Sequence, residues 1–313
     1  MSEVDPRTRP SEGDARPWIE AWAAAPELAE LVVAFGGERV EGRDLQAWLE
    51  YLEGFSARWD YRKGKERNLV ADQEFSPELE EQVLAAADAL GLRGVTAPAH
   101  REYELVVILG GLVRACLARP RHAADLLADG RVTAHSVVGL GGLRELGGNE
   151  HELVAELVDE PVDNEFGAMD AGIRAAFGPL AAAEPEPADL LDGAVAATSY
   201  RTAGGLPVHV VAAPPLEGRA RANTPDTFAW LASRRGLVLP GDRLLLVTTS
   251  IYVPYQHAGA LRMLAVPHGI KVDTIGVEPG FVDPRLEQPF KPHSYLQEIR
   301  STILGLRQLL LDA

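Results

Sequence analysis

The chain has 313 residues, a formal net charge of −16, 46% hydrophobic and 24% charged residues, and one cysteine. That length supplies one large domain or two smaller ones, and the acidic balance opposes non-specific attraction to nucleic acid or an anionic membrane, because both repel it. The lone Cys116 excludes an internal disulfide and a cysteine-rich metal site, and no apolar run reaches the roughly 18 residues needed to span a bilayer.

Residues 1–15 are charged and proline-bearing, with no signal-peptide core, so a disordered start and a cytoplasmic location are expected. Arg16 to Phe35 and Glu41 to Trp59 alternate apolar and acidic helical faces and hold Trp18, Trp22, Trp48 and Trp59, which suits a helical domain over 16–100 cemented by aromatic packing. Ser76-Pro77-Glu78 opens a third helix with a capping hydroxyl, a proline at the first helical position and an acid in the first turn. Between these helices, Arg58 to Arg67 places five basic residues within ten positions. It reads either as a solvated, self-paired loop or as a flap whose Arg62, Lys63, Lys65 or Arg67 reaches an anionic ligand.

From Tyr103 the period changes to that of buried strands, and an α/β domain is expected over 101–280. Leu105 to Leu109 is one strand, followed by Gly110-Gly111 and a helix from Leu112 to Leu127, the stretch that holds Cys116 as a packed thiol. Val132 to Leu140 is the next, also ending in glycines before Leu143-Arg144-Glu145-Leu146. Glycines at strand-to-helix turns either turn the chain sharply or let backbone approach a ligand. Asn149 to Asp163 reads as an acidic connection and Pro179 to Pro187 as a surface excursion. Between them a helix opens at Asn164-Glu165-Phe166. Ala194 to Arg201 and Leu206 to Ala213 form a hairpin about Gly204-Gly205, its second arm central to the sheet.

Arg219, Arg221, Asn223, Thr224, Asp226 and Thr227 surround the start of another helix. The group is a good N-cap as pure structure, and also a site for phosphate or carboxylate, since guanidinium forks and helix N–H groups both favour an anion. Arg243 to Val247 is a buried strand expected to put Thr248, Thr249 and Ser250 at its carboxyl end, before a helix with Pro254 in its first turn and a strand from Ile270 to Val277. The tail, 281–313, holds a last helix with a capping-box pattern at Ser294 and Gln297, expected to dock on the sheet.

Strand, polar turn, helix, strand in this order predicts a Rossmann-like parallel sheet flanked by helices. Ligands of such sheets bind at the carboxyl ends of the strands. Gly110, Gly111, Arg144, Arg219, Arg221, Asn223, Thr224, Thr227, Thr248, Thr249, Ser250, Tyr252 and Gln256 are the candidate ligand contacts there. His257, Asp226 and Glu165 are the candidate proton carriers, each with a plain alternative: a core or surface histidine, and two first-turn acids favouring a helix dipole. No zinc motif, Walker A loop, complete GxGxxG or GxSxG is present, and no metal ligand is assigned.

Over residues 103–278 the order of motifs resembles the YdcF/SanA/ElyC-like family, on Leu109-Gly110-Gly111, Glu165, Asn223-Thr224 and the Val247-to-Ser250 turn, and most of all its long actinobacterial-type members with a YVPYQHA segment, here Tyr252 to Ala258. The resemblance implies a Rossmann-like fold with a pocket at the strand ends, and ligands such as S-adenosylmethionine or a nucleotide, or a cell-envelope role. Many members carry a His and an Arg after the Thr-Ser turn; those positions are Val253 and Gln256 here. The expected function is an enzyme acting on a phosphorylated or nucleotide-like small molecule by hydrolysis or group transfer, the alternative a module that binds such a molecule without turnover.

Overall fold

The computed structural model describes residues 5–38, 42, 44–64, 70–216 and 222–312. Lys65, Arg67, Arg219 and Arg221 lie outside the described residues. Seven strands form one sheet: β1 (Glu102–Ile108), β2 (Thr133–Leu140), β3 (Leu180–Ala182), β4 (Ala196–Thr202), β5 (Pro207–Ala212), β6 (Arg243–Thr249) and β7 (Lys271–Val277), in the order β3-β4-β5-β2-β1-β6-β7. The five strands from β5 to β7 are parallel, and β3 and β4 extend the β5 edge antiparallel. From the central β1 the chain lays β2 and β5 to one side and β6 and β7 to the other. The order therefore reverses between β1 and β6, the switch point where doubly wound sheets open a crevice at their carboxyl ends.

The strands are apolar nearly throughout because both faces are covered. Alternate residues of β1 serve the two sides. Val106 and Ile108 join a core with α5 (Val113–Ala128), α6 (Glu150–Leu157) and α7 (Glu165–Phe177). Leu105 and Val107 join the other, with α1 (Arg16–Ala23), α2 (Pro26–Ala34), α3 (Leu45–Ser56), α4 (Pro77–Ala89), α8 (Thr224–Ala232), α9 (Val253–Ala260) and the last helix. Residues 16–100 thus share one continuous core with a sheet face, with Trp18, Trp22 and Trp59 fully enclosed in it and Trp18 against His257 of α9.

Helix α9 continues through a π turn (Leu261–Ala265) into α10 (Val266–His268), ended by Gly269 in the left-handed region at φ 64°. After β7 come the short α11 (Pro279–Val282) and then α12 (Pro292–Asp312), which packs on α9, α3 and α4. Among the described residues no helix is long and apolar enough to cross a membrane.

Several sequence expectations are corrected. Residues 5–15 form a strap along the outer strand β7 instead of a disordered start: Val272 N–H donates to Ser11 O (2.9 Å), and the Arg9 guanidinium donates to Thr274 O (3.0 Å). The acidic connection from Asn149 contains α6, because Leu153 and Val154 give it an apolar face that joins the core beside α5. The excursion after Pro179 contributes β3, paired with β4. Helix α12 starts two residues before Ser294, and Gln297 closes no capping box; its side-chain carbonyl accepts the N–H of Arg62 (3.1 Å).

Candidate functional site

The register levels the carboxyl ends of three strands, with Ile108 opposite both Gly139 and Val247. Beyond them the chain turns on glycines, and a cavity of about 330 Å³ opens over the ends of β1, β2 and β5. Its floor is Gly110-Gly111 and Gly141-Gly142. One wall is the N-terminus of α8 with Asn223, Thr224 and Thr227, another is Tyr255 and Gln256 of α9, and Arg62 reaches in from the loop after α3.

Glycine is required at the first of these turns. A Cβ on Gly110 would stand 2.2 Å from Glu165 Oε1 and 2.4 Å from the Leu140 carbonyl oxygen. The turn therefore lets the Glu165 carboxylate and two strand ends meet at one point. The carbonyls of Leu109 and Gly110 both accept the Arg119 guanidinium at 2.6 Å, whose Nε and other terminal nitrogen donate to Thr249 Oγ1 at 3.2 and 3.0 Å. A fully buried arginine thus ties β1's end to β6's across the switch point.

The charged wall is built around Arg144. It meets Glu150 with both terminal nitrogens, at 2.8 and 2.9 Å, and Glu165 Oε2 through Nε at 3.3 Å. Burial works against ionisation of Glu150, yet Arg144 and the N–H groups of Val113 and Gly147 together hold its carboxyl below the usual value. At Glu165 burial wins: the carboxyl is pushed up, against the pull of Arg144, Gly142 N–H and Arg119. A carboxyl that keeps its proton further up the pH scale, set in a cleft beside a guanidinium, has the properties of an acid–base group.

Of the sequence-predicted ligand contacts, Gly110, Gly111, Arg144, Asn223, Thr224, Thr227 and Gln256 line this cavity, as does Glu165 of the proton carriers. Gln256 is 7% exposed, and its side-chain carbonyl oxygen has no hydrogen-bond partner among the described residues. Of the basic loop, Arg62 lines the cavity. Arg58 instead lies over the Phe55 ring and donates to the Phe35 carbonyl, as a self-paired loop would.

The remaining expectations are corrected by burial. Thr248 and Thr249 belong to β6 itself and, with Ser250, are enclosed under the turn, so the three hydroxyls do not line the cavity. Tyr252 faces a neighbouring hollow. Asp226 accepts the Asn223 N–H at 3.1 Å while Asn223 Oδ1 accepts the Asp226 N–H at 3.0 Å, a closed capping box that turns this acid inward. His257 is 1% exposed: Nδ1 meets Thr274 Oγ1 and Nε2 meets the Pro10 carbonyl, each at 2.9 Å, and Trp18 lies edge-on at 5.3 Å. Burial first, and Arg9 second, lower its pKa to about 3, so it is a neutral core histidine beneath the strap. Cys116 is likewise enclosed, its thiol pushed up to about 12 by burial.

Sequence reasoning missed Arg119 and Glu150. The available signal for Arg119 was an arginine on the apolar face of its helix, next to Pro120; for Glu150 it was an acid six residues after Arg144.

No solved structure matches the chain. Residues 7–91 match the family described as the Rv3785 N-terminal domain. The chain is 31% identical to the uncharacterized protein Rv3785 of Mycobacterium tuberculosis and to the uncharacterized protein Mb3814 of Mycobacterium bovis, in each case over 96% of this chain and 91% of the relative. The sheet, the cavity and the helical layer above it are thus those of a member of the Rv3785 family.

Proposed function

We propose that the chain is an enzyme that binds a phosphorylated or nucleotide-like small molecule in the cavity over β1, β2 and β5 and carries out hydrolysis or group transfer there. The observation that carries this reading is Glu165, a mostly buried carboxyl with a raised pKa, held between Arg144 and the Gly110 turn in the same cavity as Arg62 and the N-terminus of α8. Arg62 favours an anionic group. Glu165 delivers a proton to a leaving oxygen or takes one from an attacking water. The reading goes with a cytoplasmic location.

The same cavity supports the proposal that residues 103–278 are a YdcF/SanA/ElyC-like domain, since Gly110-Gly111, Glu165 and Asn223-Thr224, which carry that resemblance, all stand around it. A binding module for S-adenosylmethionine or a nucleotide is the second reading. It is favoured by the lining itself, in which the described residues include no His, Cys or Lys.

The test is a screen of the purified protein against phosphate esters and nucleotides, with mass spectrometry of product and of any co-purifying molecule. Turnover lowered about 10²-fold or more by Glu165→Gln, on a protein that melts as the wild type does, is the enzymatic outcome. Stabilisation by a ligand that is recovered unchanged leaves the binding module. Neither turnover nor stabilisation removes both.

A further inference from the structure

We propose that the ligand is a nucleotide held in two places, its anionic group in the glycine-floored cavity and its heteroaromatic base in a second hollow on the other side of Arg62. The inference rests on the anion-binding reading above and narrows it to a class of molecule.

The second hollow measures about 210 Å³ and lies between the loop after α3, the turn after β6 and the start of α12. Arg62 stands in the wall of both spaces. So does one stretch of chain: Ile251 and Tyr252 border the second hollow, Tyr255 and Gln256 the first. Those pairs are four residues apart on one continuous helical stretch, Ile251 and Tyr252 in its opening 3-10 turn and Tyr255 and Gln256 in α9, so the two spaces border the same short piece of chain. The cavity and the hollow are at or below the lower end of the roughly 300–1,000 Å³ usual for a small-molecule site when taken singly, and well within it when taken as one.

The chemistry of the two spaces differs in the way the two halves of a nucleotide differ. The first offers glycine backbone, a helix N-terminus and guanidinium. The second has aromatic side chains in its wall, Tyr61 edge-on to His293 at 6.0 Å and Tyr252 edge-on to Phe290 at 6.1 Å, beside the polar groups of Asp72, Lys291 and Glu298. Aromatic walls hold a base by its π-face irrespective of charge.

Each space also contains a buried polar atom without a partner among the described residues. In the first it is the side-chain carbonyl oxygen of Gln256; in the second it is Nδ1 of His293, a residue only 6% exposed. Such atoms are rare in folded proteins because losing water without gaining a hydrogen bond is costly. Burial also lowers the His293 pKa, and a neutral imidazole can donate from one nitrogen and accept at the other, as the edge of a base requires.

Binding of the four ribonucleoside 5′-monophosphates is compared with that of ribose 5-phosphate, which has the same anionic end and no base, by calorimetry and thermal shift. At least one nucleotide is expected to bind about tenfold or more tightly than ribose 5-phosphate, in line with the usual effect of base stacking. His293→Phe, which keeps a ring and removes the nitrogens, and Ser294→Trp, which fills the hollow from a half-buried position, are expected to bring that nucleotide down to the ribose 5-phosphate level. Ribose 5-phosphate itself should bind both variants as it binds the wild type. Two variants of different chemistry, each checked by melting temperature, guard against a loss of folding in one. Equal affinities for nucleotide and ribose 5-phosphate, or equal weakening of both by the variants, overturn the two-part site and leave the anion cavity standing. Binding of neither overturns the anion cavity as well.

Discussion

Arg144 closes on Glu150 with both terminal nitrogens, at 2.8 and 2.9 Å. The pair is nearly closed to solvent, with side-chain exposures of 12% and 2%, and Glu150 also accepts the N–H groups that begin α5 and precede α6. It therefore joins two helices at the cavity rim and orients the same guanidinium toward Glu165.

Breaking such a pair on one side leaves a buried charge alone, which costs about 3–5 kcal/mol. Arg144→Ala is expected to destabilise the protein by that order in urea unfolding at pH 7. Glu150→Gln should cost less, because an amide oxygen still accepts the Val113 N–H. Both variants unfolding within about 0.5 kcal/mol of the wild type would mean that the pair holds nothing together.

Glu165 gives a pH dependence of the opposite sense to that of a salt-bridged acid. Its folded pKa is raised above the ordinary value of 4.5, with burial the foremost cause. The folded form then holds a proton that the unfolded chain has released, so stability is full below about pH 4.5 and declines as pH rises through the folded value. Glu165→Gln does not titrate. Its stability relative to wild type should climb with pH over that window, by at most about 1.4 kcal/mol per pH unit, and then level off. Parallel curves for the two proteins from pH 4 to 8 would sink the assignment.

The strands and the long helices were legible in the sequence because burial on two sheet faces and amphipathic periodicity leave patterns of different period. The glycine turns, Glu165 and the Asn223-Thr224 cap were legible as site elements for a related reason: strand ends in this fold converge. What could not be read was which way a side chain turns once it arrives. Thr248 and Thr249 carry hydroxyls on what is still β6, and the strand's pairing with β7 extends through Thr249. His257 follows Gln256 directly, but one step along a helix rotates the side chain by about 100°, enough to send Gln256 to the cavity and His257 to Trp18 and Thr274. Arg119 and Glu150 combine near partners with ones 130 and 37 residues away, and the distant ones could not be read.

Two glycines are predicted to tolerate no side chain, for different reasons. A Cβ on Gly172 of α7 would stand 2.0 Å from the Cys116 carbonyl oxygen of α5, so the two helix backbones are in direct contact there. Gly172→Ala must push the helices apart and is expected to cost about 1–3 kcal/mol or more, visible as a lowered melting temperature. Gly110→Ala collides with Glu165 and the Leu140 carbonyl, and should displace the carboxylate as well. Ligand-induced stabilisation surviving in the Gly110 variant at wild-type strength would contradict the placement of Glu165 at that turn.

The strap over β7 makes the last prediction, because it is what encloses His257. Pro10 O and Thr274 Oγ1 bracket the imidazole, the Pro6 carbonyl accepts Trp18 Nε1 at 2.8 Å, and Ser11 O accepts the Val272 N–H on the sheet's outer edge. With the folded pKa lowered to about 3 from 6.5, the imidazole takes up a proton on unfolding, so stability is full above about pH 6.5 and is lost as pH falls toward 3. The stability of wild type relative to His257→Gln should therefore decline below pH 6.5, by up to about 1.4 kcal/mol per pH unit. Removing residues 1–12 takes away the Pro10 acceptor, the Arg9 charge and the cover of the β7 edge together. The shortened chain should melt earlier, show a His257 titration near its ordinary value by NMR, and self-associate more readily through the uncovered strand. An unchanged His257 titration in that protein would show that the burial comes from α1 and the sheet alone, with no contribution from the strap.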